Sequence, residues 1–301
     1  MDKKTILITG AAGFVGTHLA HRLLENGHRV TGVDMAAANP LAGQPAFTYL
    51  SADTTQAGDW QEQVGAADVI INLAGKNIFT LWTGSVKRQI YTSRILTTRR
   101  VAEAISRNGG STLISASAMG YYGNGRDAFL DETQPAGGGF LADVCREWED
   151  AAMKAAAPGN RVIITRFGVV CHGDGGIIKI MRPIFRAFLG GRLGSGRQWF
   201  PWVHLDDLVR VMAFAMTHET LTGPVNVCAP GVVTNREFTR LLARALNRPA
   251  LLVVPAFVLD HLAGDFGRSM LQSQKAVPAK LLKFGFTFRF PELDGALSDI
   301  T

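Results

Sequence analysis

The sequence predicts an α/β protein built on a doubly wound parallel sheet, with a smaller C-terminal α/β lobe. Three observations carry this. Short apolar runs alternate with amphipathic ones through the first half of the chain, the pattern of strands joined by right-handed crossover helices. The first apolar run, Thr5-Ile6-Leu7-Ile8, passes into Thr9-Gly10-Ala11-Ala12-Gly13-Phe14-Val15-Gly16 and then an amphipathic stretch, Thr17 to Asn26. The second, Val30-Thr31-Gly32-Val33-Asp34, ends on an acid, about twenty residues past the glycines. Together they specify a Rossmann-type arrangement.

Further elements follow in order. Phe47 to Leu50 reads as a third strand and Trp60 to Gly65 as a short helix. Asp68 to Gly75 is almost wholly apolar, as a strand buried on both faces is, and supplies the fourth. A long helix is expected from Gly84 to Asn108, stopped by Gly109-Gly110. Ser111 to Ser117 forms the fifth strand, Gly123 to Gly139 a loop able to act as a lid, Phe140 to Ala157 a helix, and Arg161 to Arg166 the sixth strand. Beyond it the character changes: a glycine turn at Gly173 to Gly176, helices at Ile177 to Leu189 and Asn235 to Leu246, strands at Val225 to Val227 and Ala250 to Val254. The Phe-rich stretch Phe284 to Phe290 is expected to pack as a strand or extended arm on its own lobe. The sheet domain is assigned to 1–168 joined by 203–230, and a substrate lobe to 169–202 and 231–301.

The chemistry centres on the glycine loop. G-x-x-G-x-x-G between strand and helix is what a pyrophosphate cradle needs: Gly10 for the tight turn, Gly13 for close approach of backbone N–H groups, Gly16 for helix–strand packing. The helix N-terminus then presents free N–H groups and a partial positive charge to the anion. Asp34 stands where a ribose hydroxyl would be bound, and Asp53, just past the third strand, stands either beside the adenine or as an exposed loop acid. Small residues at Ala74-Gly75, after Leu73, let the ligand backbone pass closely. The candidate cofactor site is therefore Gly10, Gly13, Phe14, Val15, Gly16, Asp34, Asp53, Leu73, Ala74, Gly75 and Ser115, the last a hydroxyl at the carboxyl end of the fifth strand.

Composition limits the alternatives. The chain has 301 residues, 47% of them hydrophobic, and a formal charge of +6. Its bases are dispersed among acids without a Lys/Arg-rich block, so no nucleic-acid partner is expected. Arg182, Arg186, Arg192 and Arg197 gather in one region, either as solubilising charges or as a welcome for anions. Three widely spaced cysteines, Cys145, Cys171 and Cys228, point to a reducing compartment and to neither a disulfide framework nor a zinc site. Met1-Asp2-Lys3-Lys4 leads straight into the first strand, and no run of about eighteen apolar residues occurs. A soluble, cytoplasmic protein without a membrane partner is expected.

These features resemble the extended short-chain dehydrogenase/reductase family, which includes nucleotide-sugar epimerases and dehydratases. The nearest likeness is to an epimerase-like subgroup with a C-terminal domain of unknown function. Its strings here are Ser93-Arg94, Gly120-Tyr121-Tyr122-Gly123, Phe140 to Glu149, Gly194 to Trp199 and, in the tail, Leu271 to Gln274, Pro278 to Leu282 and Gly285-Phe286. The resemblance implies NAD or NADP as cofactor and an oxidoreductase or epimerase-like activity on a nucleotide sugar or a small carbonyl/hydroxyl compound. It also implies a Tyr-x-x-x-Lys helix, whose tyrosine exchanges the substrate proton while the lysine lowers its pKa. This chain has Phe140 and Val144 at those places. Ser117 and Tyr122 are left as candidate catalytic hydroxyls, each with a packing role as its alternative; His204 in Trp-Val-His-Leu-Asp-Asp is read as structural. Asp34 disfavours a 2′-phosphate, and Met35 to Asn39 offers no cation for one, so NAD is favoured. A dinucleotide-binding or redox-sensing protein without turnover is the alternative function.

Overall fold

The computed structural model describes residues 2–108 and 110–301. Seven parallel strands form the central sheet in the spatial order Gly223–Val227, Arg161–Phe167, Thr112–Ala118, Val69–Asn72, Thr5–Thr9, Arg29–Asp34, Phe47–Ser51. This is the doubly wound Rossmann-like order, and its direction of winding reverses beside Thr5–Thr9, where the crevice for a ligand opens at the carboxyl ends. All four residues of Val69–Asn72 are buried, because helices cover both faces. Phe14–Glu25 and Leu205–Thr217 pack on one through Leu19, Leu23, Leu208 and Met212. Trp60–Gly65, Gly84–Asn108 and Phe140–Met153 cover the other through Trp60, Val64, Val101 and Ala152.

A separate apolar cluster fills the C-terminal lobe, with Phe185, Trp202, Phe238, Leu242 and Leu297 at its centre. Four helices of the last third went unread in the sequence: Leu205–Thr217, Ala256–Met270, Ala279–Lys283 and Leu293–Ile300. Leu205–Thr217 starts inside the Trp-Val-His-Leu-Asp-Asp string, with the His204 imidazole accepting Asp206 N–H as its N-cap. Ala256–Met270 is broken at Gly264, whose φ is +53°, and leaves Phe257 and Leu262 exposed, so its apolar pattern does not mark one buried face.

The Gly123 to Gly139 stretch is pinned. Its short strand Phe129–Leu130 pairs in parallel with Lys275–Ala276, and Gly125 N–H donates to the Ser273 carbonyl at 2.8 Å. The Phe-rich tail has no strand, and Phe286 and Phe288 enter the main core beside Phe214 of Leu205–Thr217. Of the glycine stop after the long helix, Gly110 takes φ +75°, while Gly109 lies outside the described residues.

Candidate functional site

Gly10 turns with φ +74°, and a Cβ there would lie 2.9 Å from Leu73 C and Ala74 N. The glycine loop and the end of the fourth strand are thus in backbone contact. A Cβ on Gly16 would stand 2.2 Å from the Gly10 carbonyl oxygen, so the helix can start this close to the loop only with glycine there. Gly13 caps Phe14–Glu25 with backbone alone, and the first turn carries no acid, leaving the positive end of the helix for an anion. The residues present fit a dinucleotide pyrophosphate.

Asp34 accepts Ala12 N–H through Oδ2 at 3.1 Å and Ala36 N–H through Oδ1 at 3.2 Å. Its carboxylate therefore fixes the glycine loop to the second strand. Asp53 closes its own turn, accepting both N–H and Oγ1–H of Thr55. Val15 and Phe14 bring their backbone to the cradle, while the Phe14 ring packs under Gly175, where a Cβ would fall 2.1 Å from it. Gly10, Gly13, Phe14, Val15, Gly16, Asp34, Leu73, Ala74 and Gly75 are brought together at the sheet's carboxyl edge.

Ser115 is not among them. It is fully buried and receives Asn72 Nδ2–H at 3.3 Å. Asn72 also donates to Thr98 Oγ1 and accepts from Thr9 Oγ1, and Trp148 Nε1–H joins at Thr98. This polar chain lies beneath the crevice and stitches the first, fourth and fifth strands to both helices above.

The two candidate catalytic hydroxyls, each read with a packing role as its alternative, both make hydrogen bonds inside the protein. Ser117 donates to Glu149 Oε1 at 2.6 Å. Glu149 is gripped by Arg166, whose Nη1 donates to the Tyr122 hydroxyl at 2.8 Å. Tyr122 in turn lies within 2.8 Å of Asn226 Oδ1 and 2.9 Å of the Asp131 carbonyl. Burial pushes its phenol up to about 12, which makes it a poor proton donor near neutrality. The physical reason is Arg166: a charged residue inside an apolar strand collects every acceptor within reach.

At the positions of the missing Tyr/Lys pair, Phe140 packs edge-on to Trp82 at 5.3 Å and Val144 is buried. Phe266 of Ala256–Met270 reaches Trp82 and Phe79, and Lys87 ion-pairs with Asp265. An aromatic cluster thus covers this end of the crevice, formed by residues too far apart in the chain for spacing to reveal. Asp143 and Arg146 pair with each other in solvent. The arginines expected in one region divide: Arg182 donates to the Ile300 carbonyl and Arg192 to carbonyls of its own turn. Among the described residues, no group of three or more His, Cys, Asp or Glu is placed to hold a metal ion. No described helix is long and apolar enough to cross a membrane.

The model of the NAD dependent epimerase/dehydratase family matches residues 6–228. The chain belongs to that family. A second model, a domain of unknown function (DUF1731), matches residues 254–300. Among curated epimerase family proteins, ML0860 of Mycobacterium leprae is 38% identical, covering 99% of this chain and 96% of its own. The chloroplastic SDR39U1 homologue of Arabidopsis thaliana is 37% identical, with coverages of 99% and 87%. The crystal structure of human epimerase family protein SDR39U1 with NADPH superposes with a TM-score of 0.86 at 30% identity, covering 98% of each chain. UDP-glucose 4-epimerase of Thermus thermophilus, in complex with NAD, shares the fold with a TM-score of 0.75 at 20% identity and 98% coverage of each chain. The epimerase-family assignment thus covers the sheet and its crevice, and the second model covers the kinked helix and the tail.

Proposed function

We propose that this epimerase-family protein is an NAD(P)-dependent oxidoreductase or epimerase-like enzyme acting on a small carbonyl/hydroxyl compound or nucleotide sugar. The backbone cradle of Gly10, Gly13 and Gly16 beside Asp34 is the observation that carries this reading. Bound there, the dinucleotide supplies or accepts a hydride. The chain's own residues hold the pyrophosphate on the N-terminus of Phe14–Glu25 and orient the adenosine side through Asp34, with Asp53 beyond it. Residues 1–168 with 203–230 form the cofactor half, 169–202 and 231–301 the substrate half. The buried, unpaired thiols of Cys145, Cys171 and Cys228 suit a reducing compartment, the cytoplasm.

NAD is the favoured dinucleotide. A 2′-phosphate brought against the Asp34 carboxylate is repelled, Met35 to Asn39 carry no cation, and Arg22 is paired with Asp206 at 3.0 Å. A second reading, a dinucleotide-binding or redox-sensing protein without turnover, is favoured by the inward hydroxyls of Ser117 and Tyr122 and by Phe140 and Val144.

One experiment separates these. The purified protein is titrated with NADH and NADPH, then incubated with deuterium-labelled cofactor and a panel of nucleotide sugars and small carbonyl compounds. Tighter NADH binding with label transfer to any compound is the expected outcome. Cofactor binding without transfer across the panel gives the second reading, and tighter NADPH binding overturns the Asp34 argument.

A further inference from the structure

We propose that the exposed face of the helix Gly176–Arg186, with the turn at Phe188 that ends it and the strand Leu252–Val254 beside it, is a docking surface for an anionic lipid bilayer. The helix is apolar on two sides. Ile178 and Phe185 bury one of them in the C-terminal lobe. Ile180 and Ile184, one turn apart, stand on the other and are 42% and 44% exposed. A helix apolar all round is ordinarily covered all round, and an exposed apolar patch marks an interaction site. Leu251 to Val253 extend the face: all three are exposed, and their strand pairs in parallel with Gly191–Leu193, where the chain continues past the helix.

Phe188 adds backbone strain to this exposure. Its N–H donates to the Phe185 carbonyl at 2.9 Å and the Leu189 N–H to the Ile184 carbonyl at 3.0 Å, the Schellman pair of hydrogen bonds that closes a helix over a left-handed residue. Glycine usually holds that position. Here φ is +61° at a phenylalanine, a conformation that a bulky side chain adopts at a cost. Burial does not offset the cost, since Phe188 is 62% exposed, with only the Arg248 guanidinium set over its ring at 5.3 Å. Strain of this kind persists where function depends on it, and here it holds an aromatic ring outward in line with Ile180 and Ile184, four and eight residues on from the first.

Charge selects the partner. From Gly176 to Phe200 the chain carries Lys179, Arg182, Arg186, Arg192 and Arg197 and no Asp or Glu. Lys179 and Arg186 are exposed and, seven residues apart, flank the apolar stripe on one side. A second copy would set these cations against themselves, because a two-fold interface brings the same patch to both sides. A bilayer with anionic headgroups takes the apolar side chains at its acyl boundary and the cations at its phosphates. The lack of an apolar run long enough to span a membrane, which led to the expectation of no membrane partner, does not bear on a helix that lies in the interface plane.

Vesicle flotation tests this, with vesicles of phosphatidylcholine alone and of phosphatidylcholine mixed with phosphatidylglycerol. Wild type is expected to float with the mixed vesicles and not with the neutral ones. Phe188→Gly is expected to lose about tenfold or more in partitioning while melting at or above wild type, because glycine relieves the left-handed turn. Lys179→Gln with Arg186→Gln is expected to lose about thirtyfold on the mixed vesicles. Lys3→Gln with Lys154→Gln, which removes the same charge elsewhere on the surface, is expected to lose less than about threefold. Absence of wild-type flotation, equal flotation on both lipids, unchanged partitioning of Phe188→Gly, or equal losses in the two double variants each overturns the proposal. A dimer that Phe188→Gly dissociates, without vesicle binding, gives the face to a second copy and overturns it too.

Discussion

Arg166 grips Glu149 through both arms of its guanidinium, Nε to Oε1 at 2.9 Å and Nη2 to Oε2 at 2.8 Å, with both residues buried. Burial alone would lower the Arg166 pKa; the Glu149 hydrogen bonds and charge outweigh it and hold the guanidinium above its ordinary value. Removing one partner strands a buried charge. Arg166→Met is expected to cost about 3–5 kcal/mol in urea unfolding, and the double change Arg166→Met with Glu149→Leu to regain much of it. A single-variant loss under about 1 kcal/mol would mean that water reaches and screens the pair.

Tyr122→Phe separates structure from catalysis at the same site. The phenol hydroxyl receives an Arg166 N–H and faces Asn226, so its loss leaves buried polar atoms unpaired, at about 1–3 kcal/mol of stability. NADH affinity should not change. If Tyr122 were instead the proton donor, the variant would abolish label transfer while melting near wild type.

The sheet was legible because its strands are continuous apolar runs and its glycine loop obeys a backbone constraint that local spacing records. The inward turn of Ser117 and Tyr122 was not, since it depends on Arg166 and Glu149, which are distant in the chain. A signal was nonetheless present: an arginine inside Arg161 to Phe167, otherwise buried, requires a buried carboxylate, and Glu149 falls on the apolar face of its helix with Cys145 and Ala152. The aromatic cover of Phe79, Trp82, Phe140 and Phe266 left no such trace. Its helix reads as amphipathic only after Gly264 is known to break it.

Gly16→Ala tests the cradle. The new Cβ would meet the Gly10 carbonyl oxygen at 2.2 Å, backbone against backbone, so the loop or the helix must shift. A cost on the order of 3 kcal/mol, about a hundredfold in NADH affinity, in stability or divided between them, is expected from calorimetry and thermal melting. Gly295→Ala is the control. It lies in the helix Leu293–Ile300 with nothing within 4 Å of an added Cβ, and should be neutral or stabilise by about 0.4–1 kcal/mol. Equal behaviour of the two variants would mean that the loop is looser than its packing implies.

His204 ties stability to pH. Burial lowers its pKa below the ordinary 6.5, against the opposing pull of Asp299, Asp207 and Asp206 and with a further lowering from His172. Its Nδ1 accepts Asp206 N–H at 3.1 Å, a bond that protonation removes, and the buried Nε2 lies 3.4 Å from the Asp299 carboxylate without a well-formed hydrogen bond. The folded state therefore binds fewer protons than the unfolded one just below the unfolded pKa of 6.5. By linkage, stability is full above that value and falls as pH drops through it toward the folded pKa, by up to about 1.4 kcal/mol per pH unit for one proton. His172, lowered by burial and by His18, adds a slope of the same sign. His204→Asn keeps an acceptor for the Asp206 amide, since asparagine is a good N-cap, and does not titrate. Melting temperatures between pH 8 and 5.5 should fall less steeply in the variant than in wild type. Parallel curves would show that His204 keeps its neutral form in both states, or gains a proton in both, and would sink the linkage.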